Sequence, residues 1–232
     1  MVFDIVPRRA PLAAVVTRGG GVEAWHSAAV AVVGGGGQLA FRFGDADLRV
    51  PTRSTIKPFQ ALPLLLSGAA VRFGLSAEEL AIAAGSHSGA DAHVAVVRRL
   101  LDKCGAKPEA LLCGAHWPLG LRLSNRYPER GQDRDPLRNN CSGKHAGFLA
   151  VARELGAADA QYLDPDGHVQ SAVRDAVAKA CEVDATDLAR GIDGCSAPNY
   201  GMPLAALARG FLNLAVARAK AGGFEAALAQ MR

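Results

Sequence analysis

Asn139-Asn140-Cys141-Ser142-Gly143-Lys144-His145-Ala146-Gly147 places a thiol, a hydroxyl, an amine and an imidazole within the five positions from Cys141 to His145. The apolar residues that follow, Phe148, Leu149, Val151, Ala152 and Leu155, recur at helical spacing, and Gly156 stops the run. The stretch therefore reads as a loop entering a helix. Its reactive groups gather where backbone N–H groups are unpaired and the helix dipole is positive. A thiolate at Cys141 would be favoured there. The plainer alternative is a buried free cysteine beside a capping Ser142. Four reactive side chains in five positions speak against it.

Upstream, Pro51-Thr52-Arg53-Ser54-Thr55-Ile56-Lys57-Pro58-Phe59-Gln60 predicts a second helix start, because Pro58 is tolerated only in a first turn. On a helical turn Ser54 and Lys57 share a face. A desolvated amine there can take the proton of a neighbouring hydroxyl and turn it into a nucleophile. A capping serine beside a solvated lysine is the default for this spacing. The apolar run Ala61 to Leu66, expected as a helix that buries the pair's surroundings, favours the chemical reading.

Ser76-Ala77-Glu78-Glu79 is a capping box. Its helix runs to about Ala84, and Gly85-Ser86-His87-Ser88-Gly89 then forms a loop able to approach a ligand closely. Asp91 is expected to cap a helix with Val94, Val97, Leu100 and Leu101 on one face and Gly105 beyond its end. Leu111-Leu112-Cys113 is expected as a short buried strand, and Leu123 to Arg138 as a long polar surface loop. Val169, Val173, Ala176 and Val177 mark a helix ending near Cys181. Ile192 to Asn199 is a loop bounded by glycine and proline that carries Asp193 and Cys195. Leu204, Leu207, Phe211, Leu214 and Val216 line a helix after Pro203, and another begins at Phe224. Toward the N-terminus, Leu12 to Thr17, Val22 to Val33 and Leu39 to Phe43 are expected as an antiparallel meander, the last with Leu39, Phe41 and Phe43 on its buried face. Gly34 to Gly37 is no phosphate loop, since neither a Lys-Ser/Thr pair nor a helix follows it.

The chain has 232 residues, half of them hydrophobic, which suits one domain with a sizeable core. A net charge of +4 with dispersed basic residues, and an aromatic content of 6%, argue against a nucleic-acid surface. Five cysteines form no disulfide framework, and Met1 to Val6, with Asp4 inside it and Pro7-Arg8-Arg9 after it, lacks a signal-peptide core. No apolar stretch reaches the ~20 residues that span a bilayer. These features predict a soluble, cytoplasmic protein with neither a membrane nor a nucleic-acid partner.

Taken together, several of these segments resemble the bacterial zinc-dependent L-asparaginases of the Rhizobium type. They are Arg53-Ser54-Thr55-Ile56-Lys57-Pro58 with Gln60-Ala61-Leu62-Pro63, Ser86-His87-Ser88-Gly89 with His93, Asn140 to Gly147, and Asp193-Gly194-Cys195. Cys113-Gly114 and His116-Trp117-Pro118 are similar too. The resemblance implies an α/β (α+β) fold of the serine-β-lactamase-like kind, an antiparallel sheet packed by helices. It implies hydrolysis of L-asparagine to L-aspartate and ammonia, and a homodimer. Ser54 and Lys57 match the family's Ser–Lys pair, with Ser54 the nucleophile, and Ser86 matches its second serine. Cys141, Lys144 and Cys195 match its Zn²⁺ ligands. Arg53, His145 and Asp193 match residues around the substrate. The residues themselves agree with most of this, since two thiolates, a nitrogen donor and a water suit Zn²⁺. On chemistry alone His145 is the better third ligand, and the resemblance selects Lys144.

Two departures stand out. Ala90-Asp91 follows Ser88-Gly89 where the family more often has Glu-Pro. The family's members also run longer, so the expectation is one incomplete domain over 1–232, with a meander over about 1–50 and a mainly helical part with the active site over 51–232. Its C-terminal strands and second catalytic lysine are then missing, and the 232-residue product is expected to be poorly soluble and nearly inactive. The competing readings are another β-lactamase-like serine hydrolase, such as a glutaminase, and a non-catalytic zinc-binding fragment.

Overall fold

The structure, a computed structural model, describes residues 10–131 and 133–232, and of Arg122 and Leu123 the backbone only. The signal-peptide reading of Met1 to Arg9 lies outside the described residues.

The chain opens with two separate ribbons. Strands β1 (Leu12–Arg18) and β2 (Gly21–Ser27) pair antiparallel, with Val15 opposite Trp25. Their turn places Gly19 at φ 57° and Gly20 at φ 81°, the two positive angles a tight hairpin matching the strand twist requires. Strands β3 (Val30–Val33) and β4 (Leu39–Phe43) form the second ribbon, with Val32 opposite Phe41. The expected three-piece meander is thus four strands in two ribbons. Val22 to Val33 is broken after Ser27, where Ala28 N–H turns back to the Pro11 carbonyl. The face expected to be buried is open, with Leu39 43%, Phe41 57% and Phe43 36% exposed. Alternation distinguishes two faces of a strand but does not say that either is covered.

A third sheet positions the chemistry. Strand β5 (Arg49–Pro51) pairs with β7 (Pro198–Pro203), which pairs with β6 (Ala189–Ile192) in the order β5-β7-β6. Pro51 lies opposite Gly201. This pairing brings the Thr52–Ser54 turn beside the Asp193–Ala197 hairpin loop.

The helices form the core. After β5 come α1 (Lys57–Gln60), α2 (Pro63–Leu66) and α3 (Ala69–Arg72). The apolar stretch from Ala61 is therefore no continuous helix: Pro63, which has no N–H to donate, restarts it, and Gly68 at φ 89° turns the chain into α3. Helix α4 (Ala77–Ala84) carries the expected capping box, with Ser76 N–H donating to Glu79 and Glu79 N–H to the Ser76 hydroxyl. Helix α5 (Asp91–Cys104) ends on Gly105 at φ 70° as expected. Its N-cap is Ala90, because the Asp91 carboxylate is engaged by Arg138 at 2.8 Å. Leu111-Leu112-Cys113 is a turn rather than a strand: Leu112 N–H donates to the Tyr162 hydroxyl at 2.7 Å, which replaces a neighbouring strand. A short α6 (Leu119–Leu123) leads into the long polar segment, which closes with a 3-10 turn at Pro136–Arg138.

Helix α7 (Ser142–Glu154) is the centre, buried continuously from Ser142 to Ala152, and α2, α3, α4, α5 and α8 (His168–Cys181) pack around it. A helix enclosed on every side carries no solvent face. Helix α9 (Leu204–Val216) lies on β3 and α8, and α10 (Gly223–Met231) follows. The buried side of α9 is Ala205, Ala206 and Gly210, while Phe211 is 39% exposed. Small residues let α9 approach closely, so the large ones sit at its margin. Among the described residues no helix is long and apolar enough to cross a membrane.

One buried charge tests this packing. Glu79 is 1% exposed and receives Lys103 at 2.7 Å. Burial works to raise its pKa, but hydrogen bonds from Lys103 and Ser76 outweigh that and hold it below the usual carboxylate range. A depressed carboxylate stabilises the fold above its unfolded pKa of about 4.3, and the contribution disappears as pH falls through the lower folded value. Glu79→Gln is expected to lower unfolding free energy by about 1–3 kcal/mol at pH 7. Denaturant titrations of both proteins should show the difference narrowing below pH ~4.

Candidate active site

The first arm is built on Lys57. It opens α1, only 1% exposed, and its amine donates to Ser86 Oγ at 2.8 Å, the Gly85 carbonyl at 3.2 Å and the Asn140 carbonyl at 3.3 Å. Burial lowers its pKa, Cys141 opposes that shift, and the nearby Lys144 charge adds to it. Ser86 is exposed, so the amine meets an accessible hydroxyl from below. Ser54 is exposed as well but makes no hydrogen bond with Lys57. The expected one-face geometry fails because residues 53–56 form a 3-10 turn with Arg53 left-handed at φ 51°, and Ile56 (φ −87°, ψ 2°) breaks the turn before α1.

The loop carrying Ser86 is pinned by His87. Its Nδ1 accepts the Gly89 N–H at 3.2 Å, so Nε2–H is the nitrogen that donates to Ser142 Oγ at 3.0 Å. Ser142 Oγ in turn donates to the Leu137 carbonyl at 2.8 Å. Burial, with His93 and Lys57 nearby, pushes the His87 pKa down to about 4, so it stays neutral. A cavity of about 420 Å³ lined by Ser88, Pro118, Ser124, Arg126 and Arg138 opens beside this loop.

The second arm gathers Cys141, Lys144 and Cys195, which are 5%, 1% and 5% exposed. Cys141 is the N-cap of α7, as the sequence predicts, and Lys144 lies one turn on. Asn139 sets this entry: its amide donates to the Cys113 carbonyl at 2.7 Å and accepts the Cys141 N–H at 2.8 Å. Cys195, from the β6–β7 loop, receives the Lys144 amine at 3.3 Å. The two sulfurs share a hydrogen bond, which lowers the Cys195 pKa and raises that of Cys141; burial raises Cys141 further. His145 and Lys144 also favour the Cys195 anion. These groups favour a thiolate within the Cys141–Cys195 pair, beside the α7 terminus. Among the described residues no group of three His, Cys, Asp or Glu side chains is arranged for a metal. The third donor here is an amine, which lies outside that set. Cys104, Cys113 and Cys181 are buried, as expected.

Of the three residues expected around a substrate, two come together: Arg53 Nη2 lies 3.1 Å from Asp193 Oδ1, at the surface. His145 does not join them. It is fully enclosed, with its Nδ1 at 2.7 Å from the Tyr162 hydroxyl. Its Nε2 makes no well-formed hydrogen bond and supports the Cys195 anion. The two arms abut, because Asn140, whose carbonyl holds Lys57, directly precedes Cys141. Sequence reading did not single out Asn139 or Asn199 individually. Asn139 stood in the opening motif, but its partner Cys113 is far away in sequence, and nothing local marks Asn199.

No curated protein matches the chain at a significant level. A family model, that of L-asparaginase II, matches residues 14–232, a span that takes in both arms of the site. The chain belongs to the L-asparaginase II family of amidohydrolases.

Proposed function

We propose that the protein is an L-asparaginase of the zinc-dependent Rhizobium type on a serine-β-lactamase-like scaffold, releasing ammonia from the side-chain amide of L-asparagine. The observation that carries the chemistry is the Lys57–Ser86 contact at 2.8 Å, a buried amine with a lowered pKa against an exposed hydroxyl. With Lys57 neutral, two N–H donors on the carbonyls leave its lone pair for the hydroxyl: a serine attacks the amide carbonyl as its proton passes toward Lys57, that proton is returned to the amide nitrogen, which leaves as ammonia, and water hydrolyses the acyl-enzyme. Ser54 is the nucleophile expected from the motif, with Ser86 in the proton path. The same contact favours a second reading, in which Ser86 itself attacks. Arg53 and Asp193 pair across the distance that separates the charges of an α-amino acid, and hold the α-carboxylate and α-ammonium in turn.

Cys141, Lys144 and Cys195 would hold Zn²⁺, since two sulfurs and an amine at one spot suit it. When bound it supplies a Lewis acid beside the amide. Mass spectrometry of the enzyme quenched during turnover tests the reading. An aspartyl adduct, L-aspartate joined through its side-chain acyl group, on the Ser54 peptide supports the first reading, and on the Ser86 peptide the second. Turnover with neither serine labelled, and unchanged in Ser54→Ala and Ser86→Ala, would refute both.

A further inference from the structure

Asn199 is 6% exposed and uses both ends of its side chain on one neighbour. Its Oδ1 accepts the Arg53 N–H at 3.0 Å, and its Nδ2 donates to the Arg53 carbonyl at 3.0 Å. Nδ2 also reaches Asp193 Oδ2 at 3.4 Å. The orientation of the amide is forced, because turning it over would set donor against donor and oxygen against two oxygens. Just before this point the β5–β7 ladder is regular, with Thr52 N–H donating to the Tyr200 carbonyl at 3.1 Å. Arg53 then leaves the ladder at φ 51°, a conformation that a non-glycine residue keeps only when its surroundings impose it. The side-chain amide of Asn199 replaces the next rung of the ladder and holds Arg53 in that conformation. Through Nδ2 it also fixes the carboxylate that Arg53 pairs with. Asp193 is braced a second time, by Gly194 N–H at 2.9 Å, so the carboxylate is held at both oxygens.

We propose that Asn199 is a positioning residue that sets the specificity of this enzyme for an α-amino acid amide, by fixing Arg53 and Asp193 in the register that meets both α-groups. This deepens the preceding section and rests on its assignment of those two residues to the α-carboxylate and α-ammonium. Because Asn199 touches neither reacting atom, its loss acts on recognition of the α-groups. An amide lacking both of those groups should feel it far less.

The test compares L-asparagine with propanamide, the same side-chain amide without either α-group, in wild type, Asn199→Asp, Asn199→Ala and Arg53→Ala. Asn199→Asp is isosteric: it keeps the acceptor for Arg53 N–H, loses the donor, and sets a second carboxylate against Asp193. It is expected to lower kcat/KM for L-asparagine about tenfold to hundredfold, the scale of a misplaced binding group, and to change that for propanamide less than about threefold. The preference for asparagine collapses, as in Arg53→Ala, with the thermal melt still cooperative. An equal fall on both substrates in both Asn199 variants would overturn the proposal and leave Asn199 a structural strut. If Arg53→Ala keeps the wild-type preference, the assignment of Arg53 is wrong and the proposal goes with it. If Arg53→Ala loses the preference and Asn199→Asp keeps it, only the proposal is wrong. Where Asn199→Ala fails to fold, the isosteric variant carries the comparison.

Discussion

Lys57→Met is expected to abolish release of ammonia from L-asparagine, with kcat down by about 10³-fold or more, the scale of losing a general base. Methionine has a similar length and suits a position that is 1% exposed, so the core around it stays filled. What it removes is a donor to Ser86, Gly85 and Asn140 at once. The part-buried Gly85 carbonyl is left unpaired at a cost of about 1–3 kcal/mol, while the Asn140 carbonyl keeps the His87 N–H, and a lower melting temperature is expected alongside the lost activity. Lys57→Arg separates the two effects. A guanidinium keeps donors but does not give up its proton at any working pH, so it can support the loop without accepting the serine proton. Wild-type stability with no turnover in Lys57→Arg supports the base assignment. Substantial turnover in either variant contradicts it.

Gly143→Ala is expected to unfold the protein or to remove more than about 3 kcal/mol of stability. Helix propensity alone predicts the opposite sign, since alanine gains about 1 kcal/mol over glycine inside a helix. Packing decides the outcome. A Cβ at Gly143 would sit on the Ile82 carbonyl, 2.7 Å from its carbon and closer still to its oxygen. Backbone offers no alternative rotamer, so α4 and α7 would have to separate. That movement has a functional consequence, because α4 leads directly into Gly85 and Ser86 while α7 begins at Cys141. The missing side chain at Gly143 is what lets the two arms of the site meet. Gly191→Ala, where nothing lies within 4 Å and φ is not positive, serves as the control and is expected to shift stability by less than about 0.5 kcal/mol. Denaturant midpoints measure both. A raised midpoint in Gly143→Ala would contradict the close approach.

The elements legible in the sequence are those whose signals are local. The capping box at Ser76, the αL glycine after α5 and the entry to α7 at Cys141 each depend on residues a few positions apart. The β5-β7-β6 sheet was invisible for the opposite reason. Pro198-Asn199-Tyr200-Gly201-Met202-Pro203 carries two prolines and a glycine, and reads as a loop. It forms the middle strand because its prolines stand at the ends and Tyr200 and Met202 are buried between them. The site divides the same way. The residues of both arms were identifiable from their motifs, and so was the grouping of Cys141, Lys144 and Cys195, whereas the separation of Ser54 from Lys57 was not. Lys57 meets Ser86 rather than Ser54, because the left-handed Arg53 is held by Asn199, 146 positions away.

Ammonia release from L-asparagine, with metal content determined on the same purified sample, tests the central claim most directly when wild type is set beside Cys195→Ala. The expected result is turnover with one zinc per chain in the wild type, glutamine hydrolysed more slowly, and loss of both metal and activity in Cys195→Ala. Undiminished turnover in a Cys195→Ala protein that holds no metal, or a zinc-loaded wild type that releases no ammonia from asparagine, would contradict it.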